Sequence, residues 1–107
     1  MAISIKTAGT SLQGYTDTGY TPERISDLLT AAGAKVELLT SDHFFDGKVF
    51  MEFAVEIFGV VVTIYTYKAS TEELTAMWDG GYEWHVGGRS EEAVHVLNFI
   101  GIDSRVA

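Results

Sequence analysis

Two alternating segments on either side of a glycine constrain the fold of this chain more than any other feature. In residues 49–57 every second residue is apolar, and Glu52 and Glu56 lie among the residues between them. This period of two is typical of a strand with one buried face. After Gly59, residues 60–68 are mostly β-branched or aromatic, and such residues favour strands. The pattern therefore predicts an antiparallel β-hairpin.

Three other segments have the spacing and the ends of helices. In the first, apolar residues recur on one helical face, after a threonine that can cap and a proline that suits the first turn. The second opens with the spacing of a capping box, in which Ser70 stands three residues before Glu73. Glycine is the usual residue after a helix end. The expected start and end residues are Thr21 and Gly33, Ser70 and Gly80, and Ser90 and Gly101.

The remaining segments predict shorter elements. Residues 3–7 and residues 82–86 alternate, so each is expected to form a short strand. Residues 9–20 are rich in glycine, threonine and serine, which favours a loop or irregular extended chain. Residues 34–47 are ambiguous: residues 36–39 could form a short strand, and turn-forming residues follow them.

Length and apolar content favour one domain. The chain has 107 residues, of which 47% are apolar, and it contains no linker, repeat or low-complexity tract. We therefore expect a single α+β domain over residues 1–107. Its architecture is expected to be a small antiparallel sheet with a central β-hairpin and two to three helices packed on one face.

Charge and residue types exclude several classes of function. Seven Lys and Arg against fifteen Asp and Glu give a net charge of −8. This balance argues against direct nucleic-acid binding, because phosphates are bound by clustered Lys and Arg. The absence of cysteine excludes disulfides, thiolate-zinc sites and a catalytic thiol. His43, His85 and His95 lack the spacing of metal ligands, and no catalytic serine–histidine–aspartate pattern is present. We therefore expect no metal, no cofactor and no enzymatic activity.

No segment has the pattern of a membrane span or a targeting signal. The first 14 residues lack a basic region followed by an apolar one, and no apolar run approaches the ~20 residues that cross a bilayer. The sequence therefore predicts a protein without membrane association that acts in a cytoplasm.

The glycine-rich segment at residues 87–90 is a candidate anion site. Gly87 and Gly88 permit close backbone approach, Arg89 supplies a positive charge, and Ser90 begins the predicted last helix. Unpaired N–H groups at a helix start bind phosphates, so these residues could form a phosphate cradle. The alternative interpretation is a turn that joins a strand to a helix, with Ser90 as the N-cap.

Aromatic residues suggest a second candidate site. Tyr65 and Tyr67 share one face of the second hairpin strand, and with Tyr15 they could stack on a base. His85 could act as a general base or contact a ligand. Lys68 closes the hairpin strand and is one of the few cations of the chain. The alternative interpretation is ordinary packing for the rings, and for the histidine either simple exposure or a neighbouring residue that satisfies it.

Three motifs in this chain occur in a recognisable order. They are SLQGY at residues 11–15, TIYTYK at residues 63–68 and WHVGG at residues 84–88. In this order they resemble a widespread family of small, uncharacterised bacteriophage proteins with SLQGY-type, ATIYDWK-type and WHIGG-type segments. The resemblance implies a phage origin and action in the cytoplasm of the infected bacterium. Small phage proteins without catalytic motifs often act there against host defence.

The sequence leaves two main hypotheses open. The first is a counter-defence protein that, as a homo-oligomer, binds and sequesters a small nucleotide-derived immune signal without chemistry. Its expected ligand-binding residues are Ser11, Gln13, Tyr15, Tyr67, Lys68, His85, Gly87, Gly88, Arg89 and Ser90. The second is an acidic phage protein that inhibits a host defence or nucleic-acid-binding protein by direct contact. A hydrolase that uses His85 and Glu83 on such a signal is a third, less favoured alternative.

Overall fold

The computed structural model describes residues 5–40 and 47–107. Within these residues, six strands form one antiparallel sheet in the order β2-β3-β4-β5-β1-β6, accompanied by three helices. The elements are β1 (Ser11–Thr16), α1 (Pro22–Ala31), β2 (Lys35–Thr40), β3 (Met51–Ile57), β4 (Val60–Tyr65), α2 (Thr71–Trp78), β5 (His85–Gly88), α3 (Glu92–Phe99) and β6 (Ser104–Val106). The predicted α+β class, with an antiparallel sheet and helices, is confirmed.

The predicted hairpin is the pair β3 and β4. Residues Phe58 and Gly59 join the two strands and both have positive φ, at 53° and 75°. This is the geometry of a two-residue type I′ turn, whose twist matches that of the flanking strands. Glycine adopts such a φ without strain, whereas Phe58 does so at a cost. Strand β4 continues the sheet by pairing with β5, so the hairpin lies inside the sheet.

One hydrophobic core lies between the sheet and the helices. Ile25 and Leu29 of α1, Met77 of α2 and Leu97 of α3 are fully buried in it. Helix α3 lies across β1 and β5, where a side chain at either Gly14 or Gly88 would meet it. Close packing of this kind explains why small residues stand at these strand positions.

The predicted starts of the first two helices are confirmed. The Thr21 side chain accepts a hydrogen bond from the Arg24 N–H, and Pro22 is the first residue of α1. Ser70 and Glu73 form both hydrogen bonds of a capping box at the start of α2. The third start lies one residue later than predicted, because the N-cap of α3 is Glu91, which forms no side-chain cap bond. The Ser90 hydroxyl still accepts a hydrogen bond from the N–H of Glu92, the first residue of α3.

Two predicted strand assignments at the N-terminus need correction. The segment predicted to be a loop contains β1, which hydrogen-bonds to β5 on one side and to β6 on the other. Pairing on both edges overrides the weak strand preference of its glycine and serine. Of the strand predicted at residues 3–7, residues 3 and 4 lie outside the described part, and residues 5–7 are not in a strand.

The structure also assigns two further strands, one in the ambiguous region 34–47 and one near the strand predicted at residues 82–86. The possible short strand at residues 36–39 is β2, which runs from Lys35 to Thr40 along β3. The turn residues predicted at 41–46 lie outside the described residues. The strand predicted at residues 82–86 begins later, at His85, and extends through both glycines.

Candidate functional site

One row of side chains crosses the whole sheet on the face opposite the helices. Cross-strand pairing places these residues side by side from β2 to β6: Leu39, Glu52, Tyr65, His85, Tyr15 and Arg105. Their neighbours in sequence, such as Ile64 and Val86, are fully buried in the core. Since side chains alternate along a strand, the row lies on the other side. We call this side of the sheet the open face.

Four tyrosines surround His85 at one end of the open face. The centroid of the His85 ring lies 5.0 Å from that of Tyr15 and 5.4 Å from that of Tyr65. The corresponding distances to Tyr67 and Tyr82 are 5.8 and 6.4 Å. These are contact distances for aromatic rings. We call Tyr15, Tyr65, Tyr67, Tyr82 and His85 the tyrosine–histidine cluster.

Buried hydrogen bonds fix the position of His85. The Thr16 hydroxyl accepts a bond of 3.0 Å from the Trp84 N–H, and the Trp84 indole donates to the Tyr20 carbonyl at 2.9 Å. Trp84 is fully buried. Because Trp84 is held in the core, the next residue, His85, points to the open face.

Tyr82 links two parts of the cluster. Its hydroxyl accepts a hydrogen bond of 3.3 Å from the Tyr67 N–H and lies 3.4 Å from Nδ1 of His85. The next residue, Lys68, has a φ of 49° and donates its N–H to the Lys48 carbonyl at 2.7 Å. The cluster is therefore held by backbone contacts as well as by its rings.

A cleft of about 430 Å³ lies between the cluster and the start of α2. Tyr15, Tyr82 and His85 line it. Three carboxylates also line it: those of Glu72 and Glu73, in the first turn of α2, and that of Glu83, in the loop before β5. We call these three the acidic residues of the cleft. A volume of this size is within the range of small-molecule sites.

Burial shifts the ionisation of the cluster. It lowers the pKa of His85, although the nearby Glu73 carboxylate acts in the opposite direction. Burial also raises the pKa of Tyr65, Tyr82 and Glu52 above their ordinary values. At neutral pH the His85 imidazole is therefore uncharged, and the Tyr65 and Tyr82 hydroxyls are protonated. The charge of the cleft comes from its carboxylates.

The cations near the cluster are already engaged. Arg105 lies 3.1 Å from Glu83 and 3.5 Å from Asp17, and its guanidinium stacks 5.4 Å from the Tyr15 ring centroid. The Lys68 ammonium lies 5.5 Å from the centroid of the Tyr67 ring. Among the described residues that line the cleft there is no lysine or arginine.

The ligand-binding residues predicted from the sequence fall into two groups. Tyr15, Tyr67 and His85 belong to the cluster, and Lys68 stands beside it. The other predicted residues lie at or near the opposite end of β5: Ser11, Gln13, Gly87, Gly88, Arg89 and Ser90. His85 and Arg89 are four residues apart on extended chain, roughly 13 Å. The structure does not bring the two groups into one site.

The interpretation of Gly87 and Gly88 as part of a turn is wrong. Both lie within β5, between β1 and β4. A Cβ at Gly87 would overlap the Thr63 hydroxyl, and one at Gly88 would lie 2.5 Å from the Ala93 Cβ. The glycines are therefore explained by packing on the two faces of the sheet.

Arg89 and Ser90 also have local partners. The Arg89 guanidinium donates to the carbonyl of Lys6 at 2.7 Å and to that of Ala8 at 3.1 and 3.2 Å. The Ser90 hydroxyl accepts from the Glu92 N–H at 3.3 Å. Arg89 thus holds the segment before β1 against the end of β5, which is a structural role.

Sequence reasoning missed several residues of this site, among them Tyr82, Glu73 and Arg105. Tyr82 alternates with Trp84, and this pattern could have placed it near the cluster. The capping box could have placed Glu73 at a helix start, but not beside His85. Arg105 lies in β6, a three-residue strand that no sequence pattern indicated.

The comparisons with protein-family models, with curated proteins and with solved structures find no match to this chain. In the described ranges 5–40 and 47–107, no group of three or more His, Cys, Asp or Glu could hold a metal ion. No helix among the same residues is long and apolar enough to cross a membrane.

Proposed function

We propose that this chain is a non-enzymatic phage protein that inhibits a host protein by direct contact through the tyrosine–histidine cluster. The observation that carries the proposal is the grouping of Tyr15, Tyr65 and Tyr67 around His85 on the open face. Tyr82 contacts the same histidine but is itself buried. Tyrosine is enriched at protein interfaces, because its ring buries a large area while its hydroxyl keeps a polar partner.

Charge favours a protein partner over a phosphate ligand. Glu72, Glu73 and Glu83 line the cleft beside the rings, and the chain as a whole carries a net charge of −8. A phosphate placed there would be repelled, whereas a basic protein surface would be attracted. The sequence favoured a nucleotide ligand because of the glycine-rich turn at a helix start, the aromatic hairpin and the absence of catalytic patterning, with Lys68 and Arg89 among the residues expected to bind it. Since these two residues lie at different ends of β5, we place the protein partner first.

The resemblance to phage proteins supplies the biological setting of the proposal. It implies action in the cytoplasm of the infected bacterium. A host defence protein or a nucleic-acid-binding protein presents the basic surface that an acidic inhibitor needs. The partner is therefore expected to have a positively charged site, which the cluster and its carboxylates would occupy.

The test is capture of a host protein by the purified chain from bacterial lysate. Tyr67 is 39% exposed in the cluster, so Tyr67→Ala should weaken capture by about 30-fold, as expected for a central interface tyrosine. Phe99 is 79% exposed on α3, away from the cluster, so Phe99→Ala is the matched control and should bind normally. Binding should also weaken steeply with salt.

Two results would contradict this proposal. One is the absence of any specifically retained protein. The other is equal loss of capture in Tyr67→Ala and Phe99→Ala, because it would move the interface away from the cluster.

A second candidate function is sequestration of a small nucleotide-derived immune signal by a homo-oligomer. The observation that favours it is the cleft of about 430 Å³ lined by the rings of Tyr15, Tyr82 and His85, on which a base could stack. Of the cations in the predicted set, Lys68 is the one that stands beside the cluster, at Tyr67.

Native mass spectrometry with and without a nucleotide extract from immune-activated bacteria tests the second candidate. It reads the oligomer mass and any bound molecule together. A discrete added mass that is released intact, and is lost in Lys68→Ala, would support sequestration without hydrolysis. Arg89→Ala is the control, because Arg89 lies at the other end of β5. An oligomer that stays empty would leave the protein partner as the proposal.

A further inference from the structure

We propose that the cleft between α2 and the tyrosine–histidine cluster binds a guanidinium or ammonium group, so that the partner inserts an arginine or lysine side chain there. The identity of the partner as a protein rests on the proposed function. The preference of the cleft for a cation does not, and it can be measured with small molecules.

The rings of the cluster already accept cations where the chain supplies them. Arg105 stacks on Tyr15 at 5.4 Å, and Lys68 lies 5.5 Å from the centroid of Tyr67. Both distances fall within the range of cation–π contacts. Tyr82 and His85 face the cleft, and no cation of the described chain lies over either ring. Of the three rings that line the cleft, Tyr15 therefore has a cation supplied by the chain, whereas Tyr82 and His85 have none among the described residues.

The carboxylates complete the surroundings of a cation. Glu73 accepts a hydrogen bond from the Ser70 N–H at 3.0 Å through Oε1, which leaves Oε2 for a ligand. Within residues 5–40 and 47–107, neither Glu72 nor Glu73 forms an ion pair. Glu83 adds a third carboxylate, which also forms an ion pair with Arg105.

The cleft favours a cation because both aromatic rings and carboxylates line it. Aromatic faces and carboxylates both attract positive charge, whereas a neutral ligand would use the rings only and an anion would be repelled by the acids. An arginine side chain suits such a site because its planar group can stack on a ring and donate to a carboxylate at the same time.

The experiment is a titration of the purified protein followed by NMR. The probes are N-acetyl-arginine amide, N-acetyl-lysine amide, the uncharged N-acetyl-citrulline amide and adenosine monophosphate. The arginine probe should shift the ring signals of His85 and Tyr82 and bind with a Kd on the order of 1 mM. The citrulline probe has nearly the same shape without the charge, and it should bind at least tenfold more weakly.

Variants of the carboxylates separate charge from structure. Glu73→Gln should weaken arginine binding about fivefold while keeping the capping box, because glutamine can also accept the Ser70 bond. Glu92→Gln removes the same charge from the first turn of α3, outside the cleft, and should bind normally. Glu72→Gln gives a second measure at an exposed position if Glu73→Gln unfolds more easily.

Three results would overturn the inference. Citrulline amide could bind as tightly as the arginine probe, adenosine monophosphate could bind more tightly, or arginine could leave the His85 and Tyr82 signals unchanged. The proposed function fails separately. Capture of a host protein that is unaffected by Glu73→Gln and Glu72→Gln would keep the protein partner and overturn the insertion of its arginine or lysine side chain into the cleft. Arginine binding without any captured protein would do the reverse.

Discussion

The two ends of β5 differ more than any other neighbouring parts of the molecule. At the glycine end, a Cβ at Gly87 or at Gly88 would meet Thr63 on one face or Ala93 on the other. At the other end, His85 is half-buried among tyrosines and borders a cleft. Both ends pair with β4 and β1, and the register of the β1 pairing shifts between them, at Leu12 and Gly14. The difference comes from the side chains and from what covers them.

The chain covers its open face at one end only. Arg89 hydrogen-bonds to the carbonyls of the segment before β1 and holds it against the glycine end. Within that segment Ile5 is buried with Ala54 and Val61 of the open face. No described segment covers the cluster in this way. The glycine end is thus filled by internal packing, and the His85 end leaves a surface for a partner.

The largest expected effect is at the glycine end. Gly88→Ala places a methyl group 2.5 Å from the Ala93 Cβ, so β5 or α3 must move. Overpacking of this kind should lower the free energy of unfolding by about 3 kcal/mol in urea denaturation. His85→Ala removes a whole ring at the open end and should cost only about 1 kcal/mol, the range of an aromatic pair. A larger loss of stability in His85→Ala than in Gly88→Ala would contradict the distinction between a packed glycine end and an open His85 end.

A double mutant tests the physical reason for this loss. Ala93→Gly removes the methyl group that the new side chain would meet, although it lowers helix propensity by about 1 kcal/mol. In that background Gly88→Ala should cost clearly less than in the parent protein. An unchanged cost would show that the contact with Ala93 is not the cause.

An intermediate effect is expected at Arg89. Arg89→Ala removes the hydrogen bonds to the Lys6 and Ala8 carbonyls, which should cost about 1 kcal/mol in the free energy of unfolding. Amide hydrogen exchange should quicken in residues 5–10, while the cluster keeps its protection. Arg89→Lys is the matched control. Its free energy of unfolding should lie between those of the parent protein and Arg89→Ala, because one ammonium group cannot reproduce all three hydrogen bonds.

Arg89→Ala also tests whether the two ends of β5 act independently. Binding of the arginine probe to the cleft should be unchanged in Arg89→Ala, since the guanidinium lies at the far end of the strand. Loss of that binding, or unchanged exchange in residues 5–10, would contradict the structural role of Arg89.

Local signals in the sequence predicted the elements that depend on local chemistry. The β3–β4 hairpin follows from alternation around Gly59, and the starts of α1 and α2 follow from the bonds that Thr21 and Ser70 make with their own helices. The strand β1 could not be predicted in the same way, because its pairing with β5 and β6 joins segments about 70 to 90 residues apart along the chain. Such pairing leaves no local pattern.

Only part of the candidate site could be predicted, because its residues also come from segments that are distant along the chain. Tyr15, Tyr67 and His85 were chosen for their chemistry, and the sheet brings them together. Gly87 and Gly88 were expected to approach a ligand, but they are small because Thr63 and Ala93 fill the space. A glycine pair in a sequence does not reveal whether a ligand or a side chain occupies the space beside it.

The smallest expected effect is the pH dependence of stability at the His85 end. Burial lowers the pKa of His85 in the folded protein, whereas in the unfolded chain it titrates near pH 6.5. As the pH falls below about 6.5, the unfolded chain therefore takes up this proton first, and the free energy of unfolding decreases. The contribution of the neutral His85 to the free energy of unfolding is therefore fully present above about pH 6.5, and it is lost as the pH falls toward the lowered pKa of the folded state.

His85→Gln removes that proton while keeping a polar side chain. Urea denaturation at pH 7.5 and pH 5.5 should therefore show a smaller decrease in the variant than in the parent. Glu52, in the same row, acts in the opposite sense: its pKa is raised by burial, so its protonation favours the folded state as the pH falls. Glu52→Gln should enlarge the decrease. Equal decreases in all three proteins would mean that the open end of β5 is as insensitive to protons as the packed glycine end.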